Sequence, residues 1–362
     1  MKPLLIMLLV WSSHLLAAQQ THIVLDSIHS NVLHESRTFR VYLPKEIVEK
    51  KQKQAQYPVL YVLDGDDNYL AISGMMHYLT EVNGNRIFPK MIVVFINNTN
   101  RTRDLTPYRV NASAMLPKAM AEVTGGAETF TQVIEKEIIP YINAKYPTSP
   151  YRALVGHSFG GIFALSILQK HPDLFDDYIV IDPSLWYDDG RFSKSVLQTI
   201  QAGKLGNKSL FIGLANTTNE PNLNKMLASK APFSVHEKSI LRFCQKLSHS
   251  NSMLFSYQYY PNDDHGSVPF VGVYDGLRAI FKAHQLSYYE VVKPNFDPEK
   301  RIKTYYNNLS AKLKTPLQIS PEELEYFDLF YSINQDQKGQ KRLRIYYKKL
   351  YPNKYDEWLK KH

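Results

Sequence analysis

The sequence predicts an α/β protein, with a mostly parallel central sheet, helices on both faces and a small C-terminal helical appendage. Three observations carry this. Short, nearly continuous apolar runs recur at Tyr57–Leu63, Met91–Ile96, Ala153–Val155, Asp177–Ile181 and Leu210–Leu214, as expected of strands buried on both faces. Segments with helical apolar spacing alternate with them, among them Phe130–Tyr146, Phe192–Ala202 and Ser234–His249. Such alternation builds a parallel sheet covered on both sides. The third observation is a sharp corner, Gly156-His157-Ser158-Phe159-Gly160-Gly161, where one apolar run passes directly into an apolar helix ending near Leu168.

Taken in order, His22–Ser30 and Ser36–Leu43 read as an opening hairpin. Phe39, Val41 and Leu43 alternate with Arg40 and Tyr42, and Pro44 stops the second strand. Lys45–Gln56 is a polar surface connection. Tyr57–Leu63 is a central strand ending in Asp64-Gly65-Asp66-Asp67-Asn68, and a loop leaving the C-terminal end of such a strand is where an open α/β sheet places its site. Met91–Ile96 runs into Arg101-Thr102-Arg103-Asp104-Leu105-Thr106-Pro107. The small and polar residues of Pro107–Ala127 then rim the site, and Phe130–Tyr146 is a helix that Pro140 kinks. Asp177–Ile181 ends in Asp182-Pro183-Ser184-Leu185-Trp186-Tyr187, and Leu210–Leu214 ends in the loop Ala215–Asn222. Met253–Tyr260 alternates as a strand, followed by the loop Pro261–Pro269 and the helix Phe270–His284. Lys293–Pro298 reads as a linker. Glu322–Ile333, Gln340–Tyr351 and Tyr355–Lys361 read as helices of an extension over residues 291–362. So few helices cannot bury their own apolar faces, so they are expected to pack on the main domain, residues 19–290. A lid or partner platform is the sharper reading of the extension.

With 362 residues, 44% hydrophobic and 12% aromatic, the chain can bury a sizeable core and is not a disordered polymer. The formal charge of +9 raises the question of nucleic acid or anionic membranes. Lys and Arg are thinly spread, however, apart from clusters near Lys50–Lys53 and Lys338–Lys361, so no nucleic-acid partner is expected. Met1-Lys2-Pro3, the apolar run Leu4–Val10 and Leu15-Leu16-Ala17-Ala18 make residues 1–18 a secretory signal peptide cleaved after Ala18. That run is too short for a comfortable membrane span, so no membrane insertion is expected once it is removed. Cys244 is the only cysteine and cannot form an internal disulfide. Export without disulfides fits a bacterial periplasm or secretion.

The corner at Ser158 has the context of a nucleophile elbow, in which a strand, a tight turn bearing a serine and a helix follow one another. Its glycines permit strained backbone and close packing. The helix N-terminus behind the serine offers free N–H groups to a developing oxyanion. Such a serine needs a base and an acid, which follow it in the order acid, then histidine. His265, in a loop between a late strand and a helix, is the candidate base. Glu220, in the loop after Leu210–Leu214, is the preferred acid, and Asp182 is the second choice. Asp264 shapes the His265 loop. His157 is expected to face away from the serine. The oxyanion donors are assigned to the backbone N–H groups of Phe159 and Asp66. The Arg101–Asp104 segment reads first as a salt-bridge network fixing its loop and second, through Arg101, as a contact for a substrate carboxylate or phenolate. Trp186 is a further candidate substrate contact. No His, Cys or Asp cluster has metal-ligand spacing, and no metal or organic cofactor is implied.

With these residues placed, the chain resembles the esterase branch of the α/β-hydrolase family, which includes siderophore esterases, S-formylglutathione hydrolase, feruloyl esterases and mycolyltransferases. The motifs are Arg37…Val41-Tyr42-Leu43-Pro44, Leu60-Tyr61-Val62-Leu63-Asp64-Gly65, Arg101–Pro107, Glu137–Ile142, Gly156–Gly161, Pro183-Ser184-Leu185-Trp186 and Asp264–Val268. They cover about Thr21–His284. The resemblance implies an exported serine esterase acting on a small-molecule ester through an acyl-enzyme, with Ser158 as nucleophile, His265 as base and the N–H groups of Asp66 and Phe159 as oxyanion donors. It also supports Glu220 as the acid. Asp182 stands where the family more often has serine, which keeps it as a rival. An acyltransferase using the same residues and a non-catalytic binding protein on the same scaffold are the alternatives.

Overall fold

Eight strands form one sheet: β1 (Ile23–Ser30), β2 (Glu35–Tyr42), β3 (Tyr57–Val62), β4 (Ile92–Ile96), β5 (Thr148–His157), β6 (Asp177–Ile181), β7 (Ser209–Leu214) and β8 (Leu254–Tyr259). The computed structural model describes residues 22–49, 55–82, 86–203, 205–206, 208–220, 222–231, 234–250, 252–293 and 296–360. The expected signal peptide and the Lys50–Lys53 cluster lie outside them.

The spatial order is β1-β2-β4-β3-β5-β6-β7-β8. The opening hairpin joins antiparallel through β2 and β4, and every pairing from β4–β3 onward is parallel. The apolar runs are explained by position. Every residue of β3, β4, β6 and β7 is buried, whereas the edge strand β8 alternates between exposed and half-buried. Interior parallel strands face helices on both sides, and an edge strand does not.

One face of the sheet packs on the stretch from Ala127 to Lys145 and on α2 (Phe159–Lys170), α3 (Arg191–Gln201) and α4 (Ser234–Leu247). The other packs on α1 (Gly65–Thr80) and α5 (Val268–Ile280). In α2 every residue from Phe159 to Leu168 is buried, which is why that helix is apolar all round. The sequence gives little sign of α1. Its buried side is a narrow set, chiefly Ile72, Met75 and Met76, among polar and small residues that blur the helical period. The helical stretch that contains Pro140 is not one uniform α-helix. A π-turn at Ile134–Ile138 sits between the α-helical segments Ala127–Val133 and Ile139–Lys145. A widened turn accommodates a residue that has no N–H to give.

The extension comprises α6 (Pro298–Leu313), α7 (Pro321–Ile333), α8 (Gln337–Leu350) and α9 (Pro352–Leu359). Helix α6 starts where the sequence suggests only a linker, and it ties the extension down. Leu309 and Leu313 enter the α1/α5 core, and Lys312 Nζ reaches Asp177 at 2.7 Å. The rest forms its own aromatic cluster around Phe327, Tyr331, Tyr347 and Trp358. Arg86 links it back through Glu323 at 2.8 Å and Tyr288 at 3.0 Å. Lys312 docks at the first residue of β6, the end of the sheet away from Ser158, so the contacts of the extension are those of a brace and not of a lid over the serine. Among the described residues no helix is long and apolar enough to cross a membrane.

Candidate active site

The elbow is sterically determined. Ser158 has φ 58° and ψ −114° between β5 and α2, a backbone region that costs about 1–3 kcal/mol and persists only when its surroundings enforce it. They do so here. A Cβ on Gly156 would lie 2.1 Å from the Gly160 carbonyl oxygen, and one on Gly161 would lie 2.8 Å from Pro183 Cβ. Ser158 N–H bonds Ile181 O at 3.0 Å, continuing the β5–β6 ladder past the strand end, and Ser184 N–H bonds Ser158 O at 3.2 Å. The Ser158 and Ser184 hydroxyls are 3.3 Å apart and share a hydrogen bond. In α2 the first amides bonded back are those of Gly161 and Ile162, both to Ser158 O. Those of Phe159 and Gly160 have no partner within the helix, as at any helix start.

The carboxylate paired with His265 is Asp182, the second choice of the sequence, and not Glu220. His265 Nδ1 lies 2.6 Å from Asp182 Oδ2. Glu220 lies beyond the end of β7, in a loop closed on itself. Asn216 takes its N–H and donates to its carbonyl, both at 2.9 Å, and the Tyr259 hydroxyl donates to the same carbonyl. Asp182 directly follows β6, the strand next to the one bearing the serine, and its side chain is fully buried. Its other oxygen accepts Ala215 N–H at 3.0 Å. A residue not expected at all, His236 on α4, donates from Nε2 to the same Oδ2 at 2.8 Å. Burial alone would raise the Asp182 carboxyl, but the charge and hydrogen bonds of His236 and His265 outweigh it and hold it well below the usual range. A sequence signal for His236 exists: it leads the stripe His236, Ile240, Phe243, Leu247 that α4 buries. A histidine at the head of an apolar stripe needs a polar partner in the core.

Tertiary structure thus gathers Asp182, His236 and His265, far apart in sequence, with one potential ligand atom of each within 4.8 Å of the others. Here those atoms serve one another as hydrogen-bond partners.

The remaining candidates fall as follows. Arg101 is committed internally. It grips Asp64 with two hydrogen bonds, at 2.6 and 3.0 Å, and donates to the His157 carbonyl at 3.2 Å. Arg37, Arg103, Glu35 and Asp104 form a network beside it. The salt bridges expected of this loop are present, and Arg101 also lines both cavities that contain Ser158 and His265. Asp66 lies in the first turn of α1 with its carboxylate on Arg40 and its side chain 56% exposed. The cavity shared by Ser158 and His265 on that side is lined by Asp64, Asp67 and Asn68, without Asp66. On the other side, a cavity of about 400 Å³ brings Ser158, Phe159, Ser184, Trp186, His236 and His265 together with Met115 and Met120. Trp186 is therefore a wall of the site. His157 does not simply face away. Its ring lies 4.4 Å from that of His265, and its buried Nε2 has no partner among the described residues. Burial, then the neighbouring His265, lowers its pKa to about 4.

A family model described as "Putative esterase" matches residues 30–257, a span that includes Ser158 and Asp182. The ferri-bacillibactin esterase BesA of Bacillus subtilis (strain 168) is 29% identical over 197 residues, which is 50% of this chain and 65% of that protein. The siderophore triacetylfusarinine C esterase of Aspergillus fumigatus is 30% identical over 166 residues, 42% of this chain and 53% of that protein. The chain thus spans 65% and 53% of the length of these curated relatives. A crystal structure of an IroE-like serine hydrolase from Shewanella oneidensis shares 29% identity and superimposes with a TM-score of 0.76, covering 91% of this chain and 99% of that one. Such coverage cannot be reached without the terminal helices. The match spans well over half the sequence, and the fold and strained serine corner agree with it: the chain belongs to the putative esterase family, of the α/β-hydrolase type.

Proposed function

We propose that the protein is a serine esterase that hydrolyses a small-molecule carboxylic ester through an acyl-enzyme, with Ser158 as nucleophile, His265 as base and Asp182 as its acidic partner. The observation that carries this is the 2.6 Å contact between His265 Nδ1 and Asp182, beside a serine held at positive φ in the same cavity. With Nδ1–H donated to the carboxylate, Nε2 is the nitrogen left to accept a proton. Ser158 Oγ turns from Ser184 towards it, gives up its proton and attacks the ester carbonyl. Catalytic hydrogen bonds are commonly loose before substrate binds and tighten in the complex. The carbonyl oxygen becomes an oxyanion held by Phe159 N–H and by a backbone amide of the loop at Asp64–Asp66, with Asp66 N–H as the first candidate. His265 then protonates the leaving alcohol, and water, deprotonated by the same histidine, releases the acid and regenerates Ser158.

The named activities of the relatives support an ester of siderophore type as the substrate class. The Trp186, Met115 and Met120 walls suit an aromatic or bulky acyl group. The leader sequence supports export to the periplasm or the medium. The test is a fluorophosphonate probe combined with a panel of p-nitrophenyl esters and catecholate lactones. Covalent labelling lost in Ser158→Ala, with turnover of the aryl or catecholate esters, is expected. A wild-type protein that neither labels nor turns over any of them would sink the proposal.

A further inference from the structure

Asp182 receives more than one triad requires. Its Oδ2 takes His265 Nδ1 at 2.6 Å and His236 Nε2 at 2.8 Å, while Oδ1 takes Ala215 N–H at 3.0 Å. An ionised carboxylate only accepts, so both ring nitrogens facing it carry protons. The two imidazoles meet edge-on, with centroids 5.3 Å apart and planes at 86°. They therefore approach one oxygen from different directions and fix its position. His236 is 5% exposed, yet it forms part of the wall of the cavity containing Ser158.

The element bearing His236 is itself anchored. The next residue, Glu237, is fully buried and accepts Thr217 Oγ1 at 2.9 Å and Thr218 N–H at 2.7 Å. Those threonines belong to the loop that also supplies Ala215 N–H. The pair His236-Glu237 thus fixes one Asp182 donor directly and secures the loop carrying another. The charged or titratable groups around His236 are Asp182 and His265 in front, and Glu237 on its own helix turned to the threonines. His157 packs against His265, and Arg101, which lines the same cavity as His236 and His265, is held by Asp64.

We propose that His236 is a positioning residue for the hydrolysis: it holds Asp182 in the orientation that reaches His265 and shares the charge of that carboxylate with it. This rests on the triad reading given above. When His265 takes the serine proton, one carboxylate oxygen faces two imidazoles, and a second positive charge there is disfavoured. The two rings therefore share one counter-charge. Without His236, Asp182 would lose a donor, its charge would fall more fully on His265, and the imidazolium would be easier to form. The price is a less well fixed acid.

The experiment measures kcat and KM against pH on a p-nitrophenyl ester for wild type, His236→Phe and His236→Gln, with thermal unfolding of each. In His236→Phe, kcat is expected to fall about 10–100-fold, the size typical of losing an outer-shell partner that orients a functional histidine. KM should stay within about twofold and the acid limb of the profile should move to higher pH, since removal of a shared donor favours protonated His265. His236→Gln retains an N–H of similar reach and should recover most of kcat. A folded His236→Phe with wild-type kcat and an unmoved acid limb overturns the proposal, as does a change confined to KM. Should the Phe variant fail to fold, histidine ¹⁵N NMR titration of the wild type decides. Coupled curves for His236 and His265 support the pairing, and two independent single-site curves overturn it. Absence of fluorophosphonate labelling at Ser158 would instead remove the esterase reading, leaving the NMR result to judge the pairing alone.

Discussion

Strand β6 begins at one buried aspartate and is followed at once by another, and the two have different fates. Asp177 opens the strand and Asp182 follows its last residue. Each is buried, and each gathers three donors. Asp177 takes Ser209 N–H at 2.9 Å, the Tyr151 hydroxyl at 2.5 Å and Lys312 Nζ at 2.7 Å. Asp182 takes Ala215 N–H and two imidazoles. The difference lies in the cation. A lysine ammonium stays charged throughout the working pH range, so the pair at Asp177 is a fixed tie between the extension and the sheet. An imidazole changes charge near neutrality, so the pair at Asp182 can take part in proton transfer. One residue type, equally buried, becomes a structural anchor at the N-terminal end of the sheet and a catalytic candidate at the C-terminal end.

The largest expected contrast comes from the matched pair Asp182→Asn and Asp177→Asn. Asp182→Asn should lower kcat about 10³–10⁴-fold, the loss typical of a triad acid that no longer holds its histidine in the right tautomer. Asp177→Asn should leave turnover within about twofold and reduce stability by about 3 kcal/mol, because it strands Lys312 without its counter-charge. Steady-state kinetics and urea unfolding of both variants would test this. If Asp177→Asn instead abolished turnover while remaining folded, the assignment of separate roles to the two ends would collapse.

Acid should loosen the two ends unequally. The folded pKa of His157, about 4, lies below its ordinary value of 6.5. Between those values the unfolded chain binds more protons. The stability associated with neutral His157 is therefore complete above pH 6.5 and is lost as pH falls towards 4, by about 3 kcal/mol at most. The lowered Asp182 carboxyl acts in the same direction further down: its contribution is present above the unfolded value of 3.8 and is lost as pH falls through the still lower folded value. Hydrogen exchange from pH 7 to 4.5 should show protection falling around β5–α2 before it falls around α6. His157→Phe should flatten the dependence of stability on pH across that window, and an unchanged slope would refute the assignment.

The smallest effect sharpens the same comparison from outside it. Glu220→Gln should change kcat by less than about twofold, since the loop is held by backbone and Asn216 contacts that the substitution keeps. A loss of a hundredfold would return Glu220 to the triad and break the case for Asp182.

Much of the site was legible where function rests on local chain geometry. The glycines around Ser158 mark a corner whose backbone leaves no room for side chains, and that requirement is written in consecutive residues. The buried strands were legible because double burial removes polar residues from the run. His265 stood out because its loop follows a strand and precedes a helix. Glu220 was preferred over Asp182, the carboxylate that contacts His265, because a strand-end carboxylate and a loop carboxylate one strand further along look alike in sequence. Only the contact across the sheet between the β6 terminus and the His265 loop separates them. Helix α1 was obscured by a narrow buried stripe, and α6 by a proline-flanked start that reads as a linker.

By itself the sequence determined the strands and the serine corner, and it singled out the histidine proposed as base, because each depends on neighbours within a few residues. Tertiary structure decided which carboxylate faces that histidine, brought a second histidine onto the same oxygen from a helix far along the chain, and tied Arg101 to Asp64. The physical reason is that a buried charge is defined by the full set of donors around it. At Asp182 those donors come from three separate elements, meeting only once the sheet and its helices have packed.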